Sequence, residues 1–323
     1  MPAYKLTFAQ MYIRHLTQKE INYNKWDAAV DQAVNGQTYA YSWYLDCVAE
    51  NWDALVSDDY AYIMPLPWNA KWLGVKQIYQ PIFTQQLGVF GKEKINDTII
   101  LSFLAAIPNE FKYILTHLNE ENEIKDLIDF KINPRRNMLL DLSESHEILN
   151  HNFRKSLRQR IRKGKKKLHF EINKVSPEDL VAYYKKHLNH KIGLPDSTYQ
   201  RVLKLMKTAL NLGQGNIYSA HFPDGSFASG IFFAESHNRM VQLFGPSVPE
   251  GKKVNAKHFL LDTIIENFAE SGRILDFEGS EIPPIAEFFR GFNPQEIFYY
   301  QIIKDDFPFW IKGLQKVRNI LKR

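Results

Sequence analysis

The sequence predicts an α+β protein with a mixed α/β sheet, laid out as two successive halves of like element order. Three observations carry this. Residues 216–245 read as three antiparallel strands, Ile217–Phe222, Phe227–Glu235 and Met240–Gly245, joined by Pro223-Asp224-Gly225-Ser226 and by His237-Asn238, both turn-forming sequences. A helical stripe of Ala256, Phe259, Leu260, Ile264 and Phe268 follows, then a strand at Ile274–Glu278, so a central helix links two strands. The first half shows the same order of helices, strand meander and helix–strand finish, although no repeat is visible in the residues themselves.

Each element has its own signal. A strand is predicted at 11–17, then a helix on Trp26, Ala29, Val30 and Ala33 that stops at Asn35-Gly36. Tyr41–Ala49 is a second helix, and Asp59–Pro67 and Ile78–Phe90 are strands rich in aromatic and aliphatic residues. Lys92–Ile107 carries helix and strand signals together. A short helix from Asn109 and strands at Tyr113–Leu118, Leu127–Ile132 and Met138–Leu142 follow. Next come a basic helix from His151, a strand at Leu168–Val175, a helix capped by Ser176 with Pro177 in its first turn, and a helix over Ser197–Leu212. Beyond the central helix lie a helix at Ile285–Phe289, a strand at Ile297–Ile303 and an amphipathic, basic helix at Phe309–Leu321. The expected domains are residues 1–140 and 141–305 with a terminal helix at 306–323, and a groove between the two domains is the expected ligand site.

Composition sets limits. A chain of 323 residues, 45% hydrophobic and 14% aromatic, can fill two cores and is not disordered. Cys47 is the sole cysteine, which excludes an internal disulfide and fits a reducing compartment; its flanks, SWYLDCVAE, make it a small core residue. MPAYKLTFAQ lacks the apolar core of a signal peptide, and the longest apolar-rich run, Ile99–Ile107, falls short of the ~20 residues a membrane span needs. A cytoplasmic protein without an integral membrane segment is expected, one whose basic patch could still touch an anionic membrane surface.

Charge is concentrated in one place. His151–Lys167, HNFRKSLRQRIRKGKKK, carries nine cations and no acid, and without them the net charge of +5 would become −4. Phe153, Leu157 and Ile161 recur as an apolar stripe, with Arg154, Arg158 and Arg162 on an adjacent strip of the same helix. The run reads either as a site for one anionic partner or as a solvated helix face.

These pieces resemble a known family. The second half is similar to the acyltransferase fold of GNAT enzymes, and the whole chain resembles the FemABX aminoacyl transferases, which carry two such domains in tandem. The resemblance rests on Arg136-Asn137 and Leu140-Asp141-Leu142 before a basic helix, Asn255-Ala256 and Leu260-Leu261 in the central helix, and Gly272, Leu275-Asp276-Phe277 and Gly279 after it. Phe288 and Gly291-Phe292 then lead to a last strand with Tyr299. Trp26-Asp27, Ser42-Trp43-Tyr44-Leu45-Asp46 and Gln85-Gln86-Leu87-Gly88 are similar to the first domain of bacterial relatives. What this implies is two tandem GNAT-like domains and a bacterial, FemAB-like acyltransferase of peptidoglycan and cell-wall synthesis. It also implies an aminoacyl-tRNA or acetyl-CoA donor, and an anionic acceptor linked to a nucleotide or lipid diphosphate. Gln86 and Tyr299 join the substrate-binding set on this ground. Two features depart from an acetyl-CoA enzyme: PSVPEGKKVNA stands in place of a Gly-rich pyrophosphate loop, and Ile282–Phe289 contains no tyrosine.

Acyl transfer to an amine needs a neutral amine, a held carbonyl and donors for the developing oxyanion. Asp276 and Glu278 are two apart on a predicted strand and so face one side, where a close pair raises one member's pKa. They read either as a general base or as structural partners of a cation. Ser247, Lys253, Asn255 and Lys257, with Lys252, gather at the start of the central helix, either as an anion site or as an ordinary helix start. Arg136, Arg158 and Arg162, with Lys165 nearby, are the phosphate-binding candidates because an arginine fork grips phosphate bidentately. A tRNA donor would make binding salt-dependent, and the tail Lys316, Arg318, Lys322 and Arg323 would extend that surface or form the polar face of the last helix. His258 reads as a core histidine, and His151, His187, His190 and His221 show no metal-ligand spacing, so no metal is expected. The alternatives are an acetyl- or acyl-CoA-dependent N-acetyltransferase and a noncatalytic binder of RNA or anionic lipid on the same fold.

Overall fold

Helices begin where a polar side chain can accept from their first free amides. Asn22 caps α1 (Tyr23–Gln32) by accepting from the Lys25 amide, and Asn96 does the same for α3 (Asp97–Ala105) at Ile99. Ser145 caps α4 (His146–Asn152), and Ser176 caps α6 (Pro177–Ile192) through the Asp179 amide. The other helices are α2 (Ser42–Val48), α5 (Lys155–Lys165), α7 (Asp196–Asn211), α8 (Pro249–Lys253), α9 (Ala256–Phe268) and α10 (Pro283–Arg290). The computed structural model describes residues 11–72, 74–124, 127–279, 281–309, 311 and 312, without the side chains of 72 and 189–192. The expected helix Phe309–Leu321 and its basic tail lie almost wholly outside the described residues, as do the first ten residues.

The strands are β1 (Ile13–Leu16), β2 (Asn51–Ser57), β3 (Tyr62–Trp72), β4 (Val75–Ile78), β5 (Phe90–Gly91), β6 (Tyr113–His117) and β7 (Lys131–Asp141) in the first part of the chain. β8 (His169–Ile172), β9 (Gly215–His221), β10 (Phe227–Ser236), β11 (Arg239–Phe244), β12 (Ile274–Asp276) and β13 (Gln295–Asp305) follow. They form one sheet in the order β1-β2-β3-β4-β6-β13-β7-β12-β11-β10-β9-β8, with β5 beside β3. The antiparallel meander β1 to β4 passes through α3 to β6, which is parallel to β4. The meander β8 to β11 passes through α9 to β12, which is parallel to β11. The like element order of the two halves is therefore a repeated arrangement in space. β13 closes the sheet by pairing antiparallel with β6 on one side and β7 on the other.

Some expectations fail for local reasons. The strand expected at Asp59–Pro67 begins only at Tyr62, as β3, because Asp58, Asp59 and Tyr60 take left-handed φ values and turn the chain out of β2, a strand the sequence reading did not expect. Ile78–Phe90 is a loop that touches strand only at its ends, and no helix starts at Asn109. The strand expected at Leu127 begins only at Lys131. The basic segment is broken: α4 ends at Phe153, whose extended backbone restarts the chain into α5. β7 runs to Asp141 and thus across the 140/141 division.

Side chains alternate across the sheet, as strands require. On one face Trp26, Tyr44 and Trp52 of the first half pack with Tyr199, Leu205, Phe232 and Val241 of the second. On the other face Met240 and Leu275 meet α5, α9 and α10 through Leu157, Ile161, Leu260 and Phe289. α3 covers Met64, Ile114 and Ile302. Among the described residues no helix is long and apolar enough to cross a membrane. Gly164 lets α5 close on α9, since a Cβ there would stand 2.7 Å from the Phe259 Cβ. Gly164→Ala is expected to cost about 1–3 kcal/mol by overpacking, despite the better helix propensity of alanine, and a thermal melt would show it.

Candidate active site

β12 ends at Asp276, wholly buried on the sheet face that the second half shares with the first. Arg239, one strand away on β11, holds it with Nε at 2.8 Å and Nη2 at 2.6 Å from Asp276 Oδ2. The same guanidinium reaches Glu120 of the first half, Nη1 to Oε1 at 2.6 Å and Nη2 to Oε2 at 3.1 Å. Asn137 of β7 donates to Asp276 Oδ2 at 3.3 Å. Burial lifts the Asp276 carboxyl above the ordinary range, with Arg239 pulling against it.

Glu278 lies just past the strand, with φ 57. Gly279 follows at φ 55, and a Cβ there would stand 2.6 Å from the Arg136 carbonyl. This turn brings the Glu278 amide to Asp276 Oδ1 at 2.7 Å and its carboxyl to the Tyr39 hydroxyl, which donates to Oε1 at 2.6 Å. Gln85 donates to the Glu278 carbonyl. Burial pushes the Glu278 carboxyl up to about 8; the Tyr39 bond opposes the shift and the Asp276 charge adds to it.

Gln86 is buried under this pair. It donates to Glu120 Oε2 at 2.9 Å and accepts from the Glu120 amide at 2.8 Å. His117 donates through Nδ1 to the Gln85 carbonyl at 2.8 Å and accepts from Gln301 at Nε2, at 3.0 Å. Burial drives its pKa down to about 4, so it is neutral at physiological pH. The Tyr299 ring lies 5.6 Å from His117, and burial followed by the nearby Glu278 charge raises its hydroxyl pKa. Among the described residues, Gln37 Oε1 and Thr38 Oγ1 are buried without a hydrogen-bond partner, on the segment that supplies Tyr39. The structure thus gathers Asp276, Glu278, Gln86 and Tyr299.

The remaining candidates lie elsewhere. α5 packs on α9 across the sheet from Asp276, so the basic helix does not line the groove between the halves as expected. Arg158, Arg162 and Lys165 share a cleft with His146, Asn150 and Asp262. Arg136 is apart from them, its Nε 2.9 Å from Glu296. Ser247 is buried and bonded to Ser229 at 2.7 Å. Lys253 is exposed, and Asn255 takes φ 63 without capping α9 through its side chain. Lys257 donates to the Gly245 carbonyl at 3.0 Å, and burial pushes its pKa down to about 8. Burial also lowers His258, to about 4. His146, Asp262 and Glu266 bring ligand-type atoms within 4.8 Å of one another, but the Lys165 ammonium sits among them, 3.0 Å from Asp262 and 2.9 Å from Glu266.

A family model described as an acetyltransferase (GNAT) domain matches residues 151–281. That stretch of the second half is similar to a GNAT domain. The fold of the chain is similar to that in the crystal structure of FemX, with TM-score 0.65 at 12% identity over 90% of this chain and 97% of that one. A conserved protein of unknown function from Bacteroides thetaiotaomicron has TM-score 0.53 at 10% identity, covering 88% of this chain and 97% of its own. The C-terminal domain (DUF2156) assigned to a lysylphosphatidylglycerol synthetase from Agrobacterium fabrum has TM-score 0.52 at 11% identity, covering 93% and 98%. These are likenesses of fold. No curated protein sequence matches the chain. Within the matched stretch, Asp276 and Glu278 stand at the carboxyl end of β12, the usual side for a ligand in a sheet with parallel strands.

The sequence reading gave no role to Tyr39, His117, Glu120 and Arg239, and had Gln85 and Asn137 only as parts of family-like motifs. Arg239 left a trace, as a cation opening a largely buried strand.

Proposed function

We propose that this chain is a FemAB-like acyltransferase that moves an aminoacyl or acyl group onto an amine, with Glu278 as the group that takes the amine's proton. The observation that carries this is the Glu278 carboxyl, held by Tyr39 and pushed up to about 8 at the end of β12. An alkyl ammonium near pKa ~10.4 must lose a proton before it attacks, and a base whose pKa lies near working pH does this best. The amine nitrogen attacks the donor carbonyl carbon, a C–N bond forms and the ester C–O or thioester C–S bond breaks. Glu278 receives one proton and returns it to the leaving hydroxyl or thiol, and the second proton the nitrogen sheds on becoming an amide is released to water. Asp276, fixed by Arg239, anchors the Glu278 backbone. The buried Gln37 and Thr38 oxygens are the polar groups proposed to meet the acceptor.

The proposed acceptor is a phosphate-bearing, peptidoglycan-precursor-like amine in the cytoplasm, linked to a nucleotide or lipid diphosphate. The donor reading favours aminoacyl-tRNA. Residues after β11 turn into α8, where a Cβ on Gly251 would fall 2.1 Å from the Ala228 carbonyl, and the Lys257 chain is buried beneath. That packing leaves little room for a diphosphate at the α9 start. The match to the acetyltransferase (GNAT) domain favours the second reading, acetyl- or acyl-CoA as donor. Both are tested by incubating the protein with a nucleotide-linked cell-wall precursor and either aminoacyl-tRNA or acetyl-CoA, with product read by mass. Turnover with either donor that Glu278→Gln cuts by ~10²–10⁴ supports the reading. Turnover unchanged in Glu278→Gln and Asp276→Asn removes the assigned site, and no transfer with any donor leaves the noncatalytic binder.

A further inference from the structure

The outward face of α5 is a charged surface that the acyl-transfer site does not use. Arg154 pairs with Glu287 at 2.8 Å, Lys165 with Asp262 and Glu266, and Arg160 reaches the His258 ring at 3.4 Å. Lys155, Arg158, Arg162, Lys163, Lys166 and Lys167 have no acidic partner among the described residues, and all but Arg158 are exposed. Leu157, Ile161 and Gly164 are the buried positions of α5. With about 100° of turn per residue, Lys155, Arg158, Arg162 and Lys163 lie on roughly the opposite half of the helix circumference, and Lys166 and Lys167 continue the charge in the turn just past its end. Only Ser156 and Gln159 share that half, so it holds no acid and no aromatic ring.

We propose that this face docks on an anionic lipid bilayer. A cationic half-cylinder about 16 Å long meets a flat array of headgroup phosphates along its whole length. Four of the six free cations are lysines, compact point charges that suit headgroups in any orientation. Nucleic acid fits less well: the face is convex, has no groove to track a backbone, and offers no ring on which an unpaired base could stack. Clusters of this size on an amphipathic helix gain from the negative surface potential of anionic lipid. Docking here leaves the Glu278 site, across the sheet, uncovered.

The test is sedimentation of the full chain with phosphatidylcholine vesicles and with vesicles about one third phosphatidylglycerol. The expected result is binding to the second alone, lost at ~0.5 M salt. The triple variant Lys163→Gln, Lys166→Gln, Lys167→Gln is expected to bind those vesicles about 100-fold more weakly, at about five-fold per cation. Its thermal midpoint should be unchanged, since the three side chains are exposed. Equal binding to both vesicle types, or a triple variant that binds as wild type does, overturns the proposal. Retention of a duplex RNA without sedimentation on the anionic vesicles also overturns it, in favour of nucleic acid.

Discussion

Arg239→Met is expected to destabilise the protein by about 3–5 kcal/mol, the cost of removing one partner from a buried ion network. The guanidinium is the common partner of Asp276, wholly buried, and of Glu120, whose side chain is 14% exposed. Without it two carboxylates face each other in a poor dielectric, and each must take a proton or draw in water. Methionine fills much of the space, so the loss measures charge more than volume. Pairing it with Asp276→Asn and Glu120→Gln should recover part of the loss, because a neutral cluster no longer needs the cation. Thermal melts of the single and triple variants decide it. A single variant that melts with wild type would mean that the two carboxylates do not depend on Arg239.

Glu278→Gln is expected to lose transfer activity and yet to become the more stable protein at alkaline pH. The sign follows from linkage. The carboxyl titrates near 4.5 in an unfolded chain and at about 8 in the fold. Between these values the folded protein keeps a proton that the unfolded chain has released. Wild-type stability therefore falls as pH rises from about 4.5 to about 8, and the contribution is flat outside that window. Glutamine has no such proton and can still accept from the Tyr39 hydroxyl. The two melting curves should agree near pH 4 and separate in favour of the variant by pH 9. In wild type the transfer rate should climb with pH until about 8 and then level, as the base form fills. Parallel melting curves across that range would show an ordinary carboxyl and remove the case for Glu278 as base.

The sequence was most legible where local chemistry decides the structure. The three strands of residues 215–244 and the central helix match closely, since the Pro-Asp-Gly-Ser turn and the apolar stripe fix register and face. Asp276 and Glu278 were placed on one side from strand alternation, and they do share a side, although Glu278 reaches it through a left-handed turn and not through β12 itself. What stayed hidden depends on distant pairs. Tyr39 and Glu278 are 239 residues apart, and Arg239 and Glu120 are 119 apart. No spacing or periodicity links such residues. The basic helix shows a different limit: its amphipathic pattern told which side is buried, but not which face of the sheet would bury it. Ile78–Phe90 misled because a buried loop can be as apolar as a strand; Leu87 and Val89 are fully buried there, and Asn119 and Asn122 bond to its carbonyls.

The placement of β13 bears on how the chain is made. On the ribosome, β6 and β7 emerge long before the strand that lies between them. Until residues 295–305 appear, each presents a bare edge, and the two meanders can form but are not yet joined into one sheet. Completion must then wait for contacts between residues about half the chain apart, such as Gln301 with His117, the kind that forms slowly. A nascent chain stalled before β13 would be a pair of open-edged sheets, prone to capture strands from its neighbours.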